Sequence, residues 1–171
     1  MEQKIISNPI TNLFLSNLNN TNQRLNLAAP FMSDFVKTIL PEKVKSIKDK
    51  RLITKLDDSY VYTFHLDAFK YLLELGFLIR WNNEIHLKLY LTDDNGFISS
   101  SNLTKAGFEN KIELTSTIDH VLIPQCSSFY EELWSRSKPF DSAIIDEKYS
   151  VFQMLKNREN FNKKRKNKVK P

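Results

Sequence analysis

The chain's pattern of elements predicts an α/β fold, with a mixed β-sheet flanked by helices. Strand-like and helix-like segments alternate from residue 24 to residue 81. A hairpin-like stretch follows over 85–101, and a further alternating strand at 111–118 leads into two helix-like segments. At 171 residues the chain is the size of one domain able to bury its own core.

Each element has a local reason. Ile10, Leu13, Phe14 and Leu18 share one helical face, and an Asn/Thr-rich break ends that helix near residue 20. Residues 24–31 read as a buried strand. Ser33 is placed to cap a short helix that stops before Pro41, because proline disfavours the helical conformation in the residue preceding it. The lysine-rich stretch 42–51 is expected to be exposed, and a second strand is expected over 51–56. Leu66, Phe69, Leu72 and Leu73 form the clearest apolar stripe, with Gly76 suited to the left-handed residue beyond that helix. A short strand is predicted at 77–81, the hairpin arms at 85–92 and 97–101, a strand at 111–118, and helices at 126–136 and 143–157. No internal repeat is visible.

Composition excludes several classes. Cys126 is the sole cysteine, so neither an intrachain disulfide framework nor a zinc site built on thiolates is available. It lies in Ile-Pro-Gln-Cys-Ser-Ser with no activating pattern, and is read as structural. The N-terminus has no apolar core of a secretory signal, and no window approaches 18 uninterrupted apolar residues. A reducing, cytoplasmic setting is expected. The formal charge of +5 is uneven: residues 156–171 carry eight Lys/Arg against Glu159, a net of +7, which leaves residues 1–155 at −2. The expected organisation is therefore one domain over 1–155 and a basic, disordered tail over 156–171.

The stretch from Ile85 to Thr104 is the most informative. Strand alternation puts His86, Lys88, Tyr90 and Thr92 on one face and Ile85, Leu87, Leu89 and Leu91 on the other. A two-residue Asn95-Gly96 loop would send Ser100 and Asn102 to the apolar side. A three-residue Asp94-Asn95-Gly96 loop pairs residues whose numbers sum to 190, so that Lys88 faces Asn102 and Tyr90 faces Ser100. The second register satisfies burial and chemistry together and is the one predicted.

An imidazole can attack a phosphoryl centre or protonate a leaving oxygen, since its pKa lies near neutrality. A lysine two residues along the strand can neutralise phosphate oxygens, and Ser and Asn add uncharged donors. A lone His-x-Lys is weak evidence, because most strand histidines are ordinary surface or core residues. His65 and His120 are read as such, Trp81 and Trp134 as core or interface aromatics, and Glu113 is open between a plain strand position and a functional one.

Taken together, His86-x-Lys88, Asp93, the run Ser100-Ser101-Asn102-Leu103-Thr104 with Gly107, and Asn110-Lys111-Ile112-Glu113 resemble the His-Lys-Asp signature of the phospholipase D superfamily. The resemblance is to its nuclease branch with one motif per chain, similar to the nuclease domains of metal-independent restriction endonucleases. It implies a single phospholipase D-like domain in which His86 is nucleophile or acid. Lys88, Ser100 and Asn102 would hold the phosphate, Glu113 would orient the imidazole, and Asp93 would support the site. Ser99 stands where glycine is usual, and the interval from Asp93 to Ser100 is one residue shorter than the common spacing, so Asp93 and Asp94 both compete for the aspartate's place.

That chemistry needs two histidines astride one phosphate, whereas His65 and His120 are not followed by a lysine two residues on. The resemblance therefore implies a homodimer in which two His86 residues meet, without a cofactor or metal. Nucleic acid, DNA before RNA, is the expected substrate, and Lys163, Lys164, Arg165, Lys166 and Lys168 offer a polycation for its backbone. Sequence preference would have to come from a specificity or helicase partner. A phospholipid phosphodiesterase and a non-catalytic phosphate-binding module are the alternatives.

Overall fold

The structure is a computed structural model that describes residues 3–56, 65–151 and 154. The tail over 156–171, and with it the five expected nucleic-acid contacts, lies outside the described residues.

Eight strands form one mixed sheet: β1 (Ile5–Ser7), β2 (Arg24–Ala28), β3 (Asp49–Thr54), β4 (Leu78–Trp81), β5 (Leu89–Leu91), β6 (Gly96–Ser99), β7 (Leu114–Ile118) and β8 (Lys138–Phe140). Their spatial order is β1-β7-β6-β5-β2-β3-β4-β8. The central trio β2, β3 and β4 runs parallel, and every other pairing is antiparallel. Helices α1 (Thr11–Asn19), α2 (Val36–Ile39) and α3 (Leu66–Glu74) sit among the sheet's connections, and α4 (Ile123–Arg136) follows β7. A further helical stretch covers residues 142–151.

Strand alternation divides the core in two. Leu25, Leu27, Leu52, Ile79, Tyr90 and Phe97 face α1, α2 and α3, meeting Phe14, Val36, Phe69 and Leu72. Ala28, Ile53, Leu89, Leu91 and Ile118 turn the other way, towards Ile123 and Tyr130 of α4. Polar groups also fasten α4 to the sheet. The Tyr130 hydroxyl donates to the Leu27 carbonyl at 3.1 Å, and Arg51 pairs with Glu131 at 2.8 Å. The guanidinium groups of Arg51 and Arg80 lie over the Trp134 ring. Gly76 takes φ 83°, the left-handed conformation that lets the chain turn from α3 into β4.

Three expectations need correction. Residues 42–51 are not a uniformly exposed stretch: a 3₁₀ turn at Glu42–Ser46 buries Val44, Ile47 follows it inward, and the Lys50 ammonium donates to the Lys45 and Ile47 carbonyls. The three-residue spacing of Val44 and Ile47 puts both on the inner side of a tight turn. The fourth helix begins at Ile123, three residues before its expected start, with Pro124 in its first turn where a missing N–H costs nothing.

The hairpin register is the third. Leu89 pairs with Ile98, Tyr90 with Phe97 and Leu91 with Gly96, so paired numbers sum to 187 and not to 190. The Thr92 N–H donates to the Asn95 carbonyl at 2.8 Å, leaving Asp93 and Asp94 at the tip. Asp93 cannot lie within a strand because its carboxylate caps the start of β2. It accepts from the backbone N–H of Asn22 at 2.8 Å, Gln23 at 3.1 Å and Arg24 at 2.6 Å. Three donors at and just before the start of β2 thus hold the hairpin tip in place. Burial of Asp93 raises its pKa, but these hydrogen bonds outweigh that and hold the carboxyl below its ordinary value. Asp94, the other aspartate at the tip, is exposed.

Candidate active site

The observed register pairs Lys88 with Ser99, whose N–H donates to the Lys88 carbonyl at 3.0 Å. Both belong to the face carrying Tyr90 and Phe97, and Ser99 is itself held by Thr115, hydroxyl to hydroxyl at 2.7 Å. Tyr90 is not a lining residue of an open face. It is buried, edge-on to Phe14 and Phe108 and tilted against Phe97, and its hydroxyl donates to the Ser101 carbonyl at 2.6 Å. That bond ties the chain just beyond β6 to the middle of β5.

By simple alternation the new register would turn Ser100 away from Lys88. Strand β6 ends at Ser99, however, and the chain bends at Ser100. Its hydroxyl there donates to the Glu113 carboxylate and accepts from the Leu114 N–H at 3.0 Å. Glu113 lies within electrostatic reach of Lys88. The bend therefore gathers Lys88, Glu113 and Ser100 at one end of the sheet, where the unbroken ladder would have separated them.

Lys88 is 6% exposed, and its ammonium donates to the His86 carbonyl at 2.7 Å. Burial lowers its pKa, Lys55 nearby pushes in the same direction, and Glu113 partly restores it. His86 is exposed, and among the described residues its imidazole has no hydrogen-bond partner. The structure thus brings Glu113 to Ser100 and not to His86, a contact different from the one the resemblance implies. Asn102 is half-buried, with its Oδ1 enclosed and unpartnered. Its backbone is gripped closely: a Cβ on Gly107 would lie 2.6 Å from the Asn102 carbonyl oxygen. Only glycine lets the π-helical turn Ala106–Asn110 approach so near.

The site occupies the edge where the parallel strands β2, β3 and β4 end, the usual location for ligands in open α/β sheets. The loop after β2 reaches the site directly, because Leu103 N–H donates to the Phe31 carbonyl and Ser33 N–H to the Leu103 carbonyl. Two neighbours escaped sequence reasoning. Ser99 was seen only as a replaced glycine, and Lys55 had no motif to mark it. The rule about strand ends was the available signal for Lys55. Among the described residues no three His, Cys, Asp or Glu side chains gather as a metal ion would need. His65 sits 3.6 Å from Asp34, and Cys126 is half-buried with its thiol pKa raised by that burial.

An exposed histidine and a buried lysine two residues apart, with Ser, Asn and Glu nearby, thus lie at one edge of a mixed α/β sheet. The family model described as "Cardiolipin synthase, PLD-like domain" matches residues 14–134, and the chain belongs to the phospholipase D superfamily. Members of that superfamily are phosphodiesterases and phosphotransferases. No curated protein matches the sequence. Among solved structures, Nuc from Salmonella typhimurium, a phospholipase D family member, superposes with a TM-score of 0.66 at 17% identity, covering 82% of this chain and 99% of its own. NucT from Helicobacter pylori gives 0.60 at 16%, covering 81% and 99%. Phosphatidylserine synthase from Haemophilus influenzae gives 0.64 at 13%, covering 94% of this chain and 46% of its own. These likenesses establish a shared fold. Among the described residues no helix is long and apolar enough to cross a membrane.

Proposed function

We propose that the chain is a metal-independent nuclease that cleaves DNA through a phosphohistidine at a composite site in a homodimer. The observation that carries the reading is the pairing of an exposed, unpartnered imidazole on His86 with a buried ammonium on Lys88 folded against the same residue's carbonyl. An exposed imidazole is free to attack, and a desolvated cation stabilises charge on phosphate oxygens more strongly than a hydrated one.

In the proposed reaction a His86 nitrogen attacks phosphorus, forming a P–N bond as the P–O bond to the leaving nucleoside breaks. The departing oxygen takes a proton from the imidazole of a second copy's His86. Water then attacks phosphorus, gives its proton to that imidazole, and releases His86 as the P–N bond breaks. Lys88 and Asn102 would hold the phosphate, Ser100 would join them once its proton turns from Glu113, and Asp93 would brace the hairpin.

The second copy has a surface available beside His86. Leu87, Leu89, Ile98, Leu122, Cys126 and Phe129 line an apolar groove between α4 and the hairpin, with Ile98 51% and Phe129 52% exposed. Leu87 and Phe129 also line the adjoining cleft that His86 enters. Apolar surface next to a half-complete site suits a twofold contact. The basic residues 156–171 would add affinity for a nucleic-acid backbone by counterion release, and sequence preference would come from a specificity or helicase partner.

The deciding assay is cleavage of DNA by wild type and His86→Ala in excess EDTA, with elution volume measured alongside. Retained wild-type cleavage, lost by several orders of magnitude in the variant, supports the proposal. Loss in EDTA overturns the mechanism. Head-group release from liposomes without DNA cleavage would instead make it a phospholipid phosphodiesterase, and unchanged DNA affinity with no turnover a binding module.

A further inference from the structure

Lys55 is the first residue beyond β3, at the edge that carries the candidate active site. Its backbone is anchored on both sides. The Lys55 N–H donates to the Pro30 carbonyl in the loop after β2. The next residue, Leu56, is bracketed by the Asn83 side chain from the loop after β4: its N–H donates to Asn83 Oδ1 at 2.8 Å, and its carbonyl accepts from Asn83 Nδ2 at 3.2 Å. A long, flexible side chain thus projects from a segment tied to both flanking strands.

Its surroundings are unusual for a lysine. The side chain is half-buried, and among the described residues no carboxylate pairs with it. Another cation, Lys88, leaves the same sheet edge on the far side of β2, since Ile53 pairs with Ala28 and Ala28 with Leu89, and the Lys55 charge bears on it. Among the described residues, one carboxylate, Glu113, bears on Lys88, and it is engaged by Ser100. Like charges at one sheet edge, one of them desolvated, cost stability in the empty protein, and an anion bound beside them recovers it. One phosphodiester at His86 and Lys88 would leave Lys55 to meet a second anion.

We propose that Lys55 forms a second phosphate subsite, which takes the phosphodiester next to the scissile one. This rests on the phosphodiesterase reading above and deepens it by naming the substrate class. A polynucleotide supplies a neighbouring phosphate, whereas a head group with a single phosphodiester does not. The subsite therefore favours nucleic acid over phospholipid.

The test compares the wild-type full chain with Lys55→Ala and Lys55→Arg on two substrates, an oligonucleotide and bis(p-nitrophenyl) phosphate, which has no flanking phosphate. Lys55→Ala is expected to lower kcat/KM on the oligonucleotide about tenfold, mainly through KM, and to reduce the salt-dependence slope of binding by about one. Lys55→Arg is expected to restore most of that loss. Activity on the small diester should stay within about twofold. Equal loss on both substrates, or no loss on the oligonucleotide, overturns the subsite. Should the wild type cleave neither substrate, the catalytic reading falls alone. Oligonucleotide binding by wild type and Lys55→Ala, measured in the same series, then decides the subsite: a weaker and less salt-dependent variant supports it, and equal affinity overturns it.

Discussion

The Lys88 ammonium turns back along the segment just before β5 to donate to the His86 carbonyl at 2.7 Å. The cation is thereby parked beside the backbone of the residue proposed to attack phosphorus. Burial and this hydrogen bond hold the cation in place, and a fixed charge is what electrostatic stabilisation of a transition state requires. The same enclosure disfavours the charged form, so Lys88 titrates below the ordinary lysine value of 10.5.

Activity and stability should respond to this in opposite senses. Above its lowered pKa, Lys88 loses the proton that neutralises phosphate oxygens, so kcat/KM should fall as pH rises, on a limb below 10.5. In the same window the unfolded chain binds more protons than the folded one, so this group's contribution to stability increases with pH. A Lys88→Met variant should be inactive yet no less stable at neutral pH by urea denaturation. A variant that unfolds more readily would contradict the burial cost.

Asp93→Asn should destabilise the domain by about 1–3 kcal/mol, since a neutral amide oxygen accepts poorly from three clustered backbone donors. The folded carboxyl is held below its ordinary value, so the wild type's advantage is present above the unfolded-state pKa and is lost as pH falls through the folded one. Denaturation curves of both proteins at pH 7 and near pH 2 should therefore differ and then converge.

Gly107→Ala would place a methyl group 2.6 Å from the Asn102 carbonyl oxygen and 3.0 Å from its nitrogen, backbone atoms that cannot step aside alone. A loss of about 1–3 kcal/mol in stability is expected, as for overpacked cores. A drop in kcat should accompany it, because Asn102 moves with the turn. Unchanged kcat in a destabilised variant would separate the glycine from the site.

Ile98→Lys places a charge in the apolar groove beside α4, at a position already half-exposed in the single chain. Folding stability should stay within about 0.5 kcal/mol. Elution volume should shift from dimer to monomer, and cleavage should fall with it, most steeply at low protein concentration. A variant that remains dimeric would move the contact to another surface.

Much of this was legible in the residues themselves. The leucine stripe of α3 and the glycine beyond it predicted that helix nearly to the residue. The His86-x-Lys88 and Ser100-to-Asn102 runs pointed to phosphoryl chemistry and a family before any geometry was known. These features are local, since periodicity, caps and motif spacing are written within a dozen residues.

The hairpin register and the company each site residue keeps were not local. Asp93 could be assigned to the turn's tip only once the start of β2 was seen to lie against it, 69 to 71 positions away in sequence. Ser100 joins Glu113 because the chain bends after β6, and Lys55 shares an edge with Lys88 because β3 ends where the antiparallel β5 begins, on either side of β2. Contacts between distant segments depend on how the sheet is assembled. A linear pattern lists which groups are available for that chemistry, and packing alone chooses which of them become neighbours.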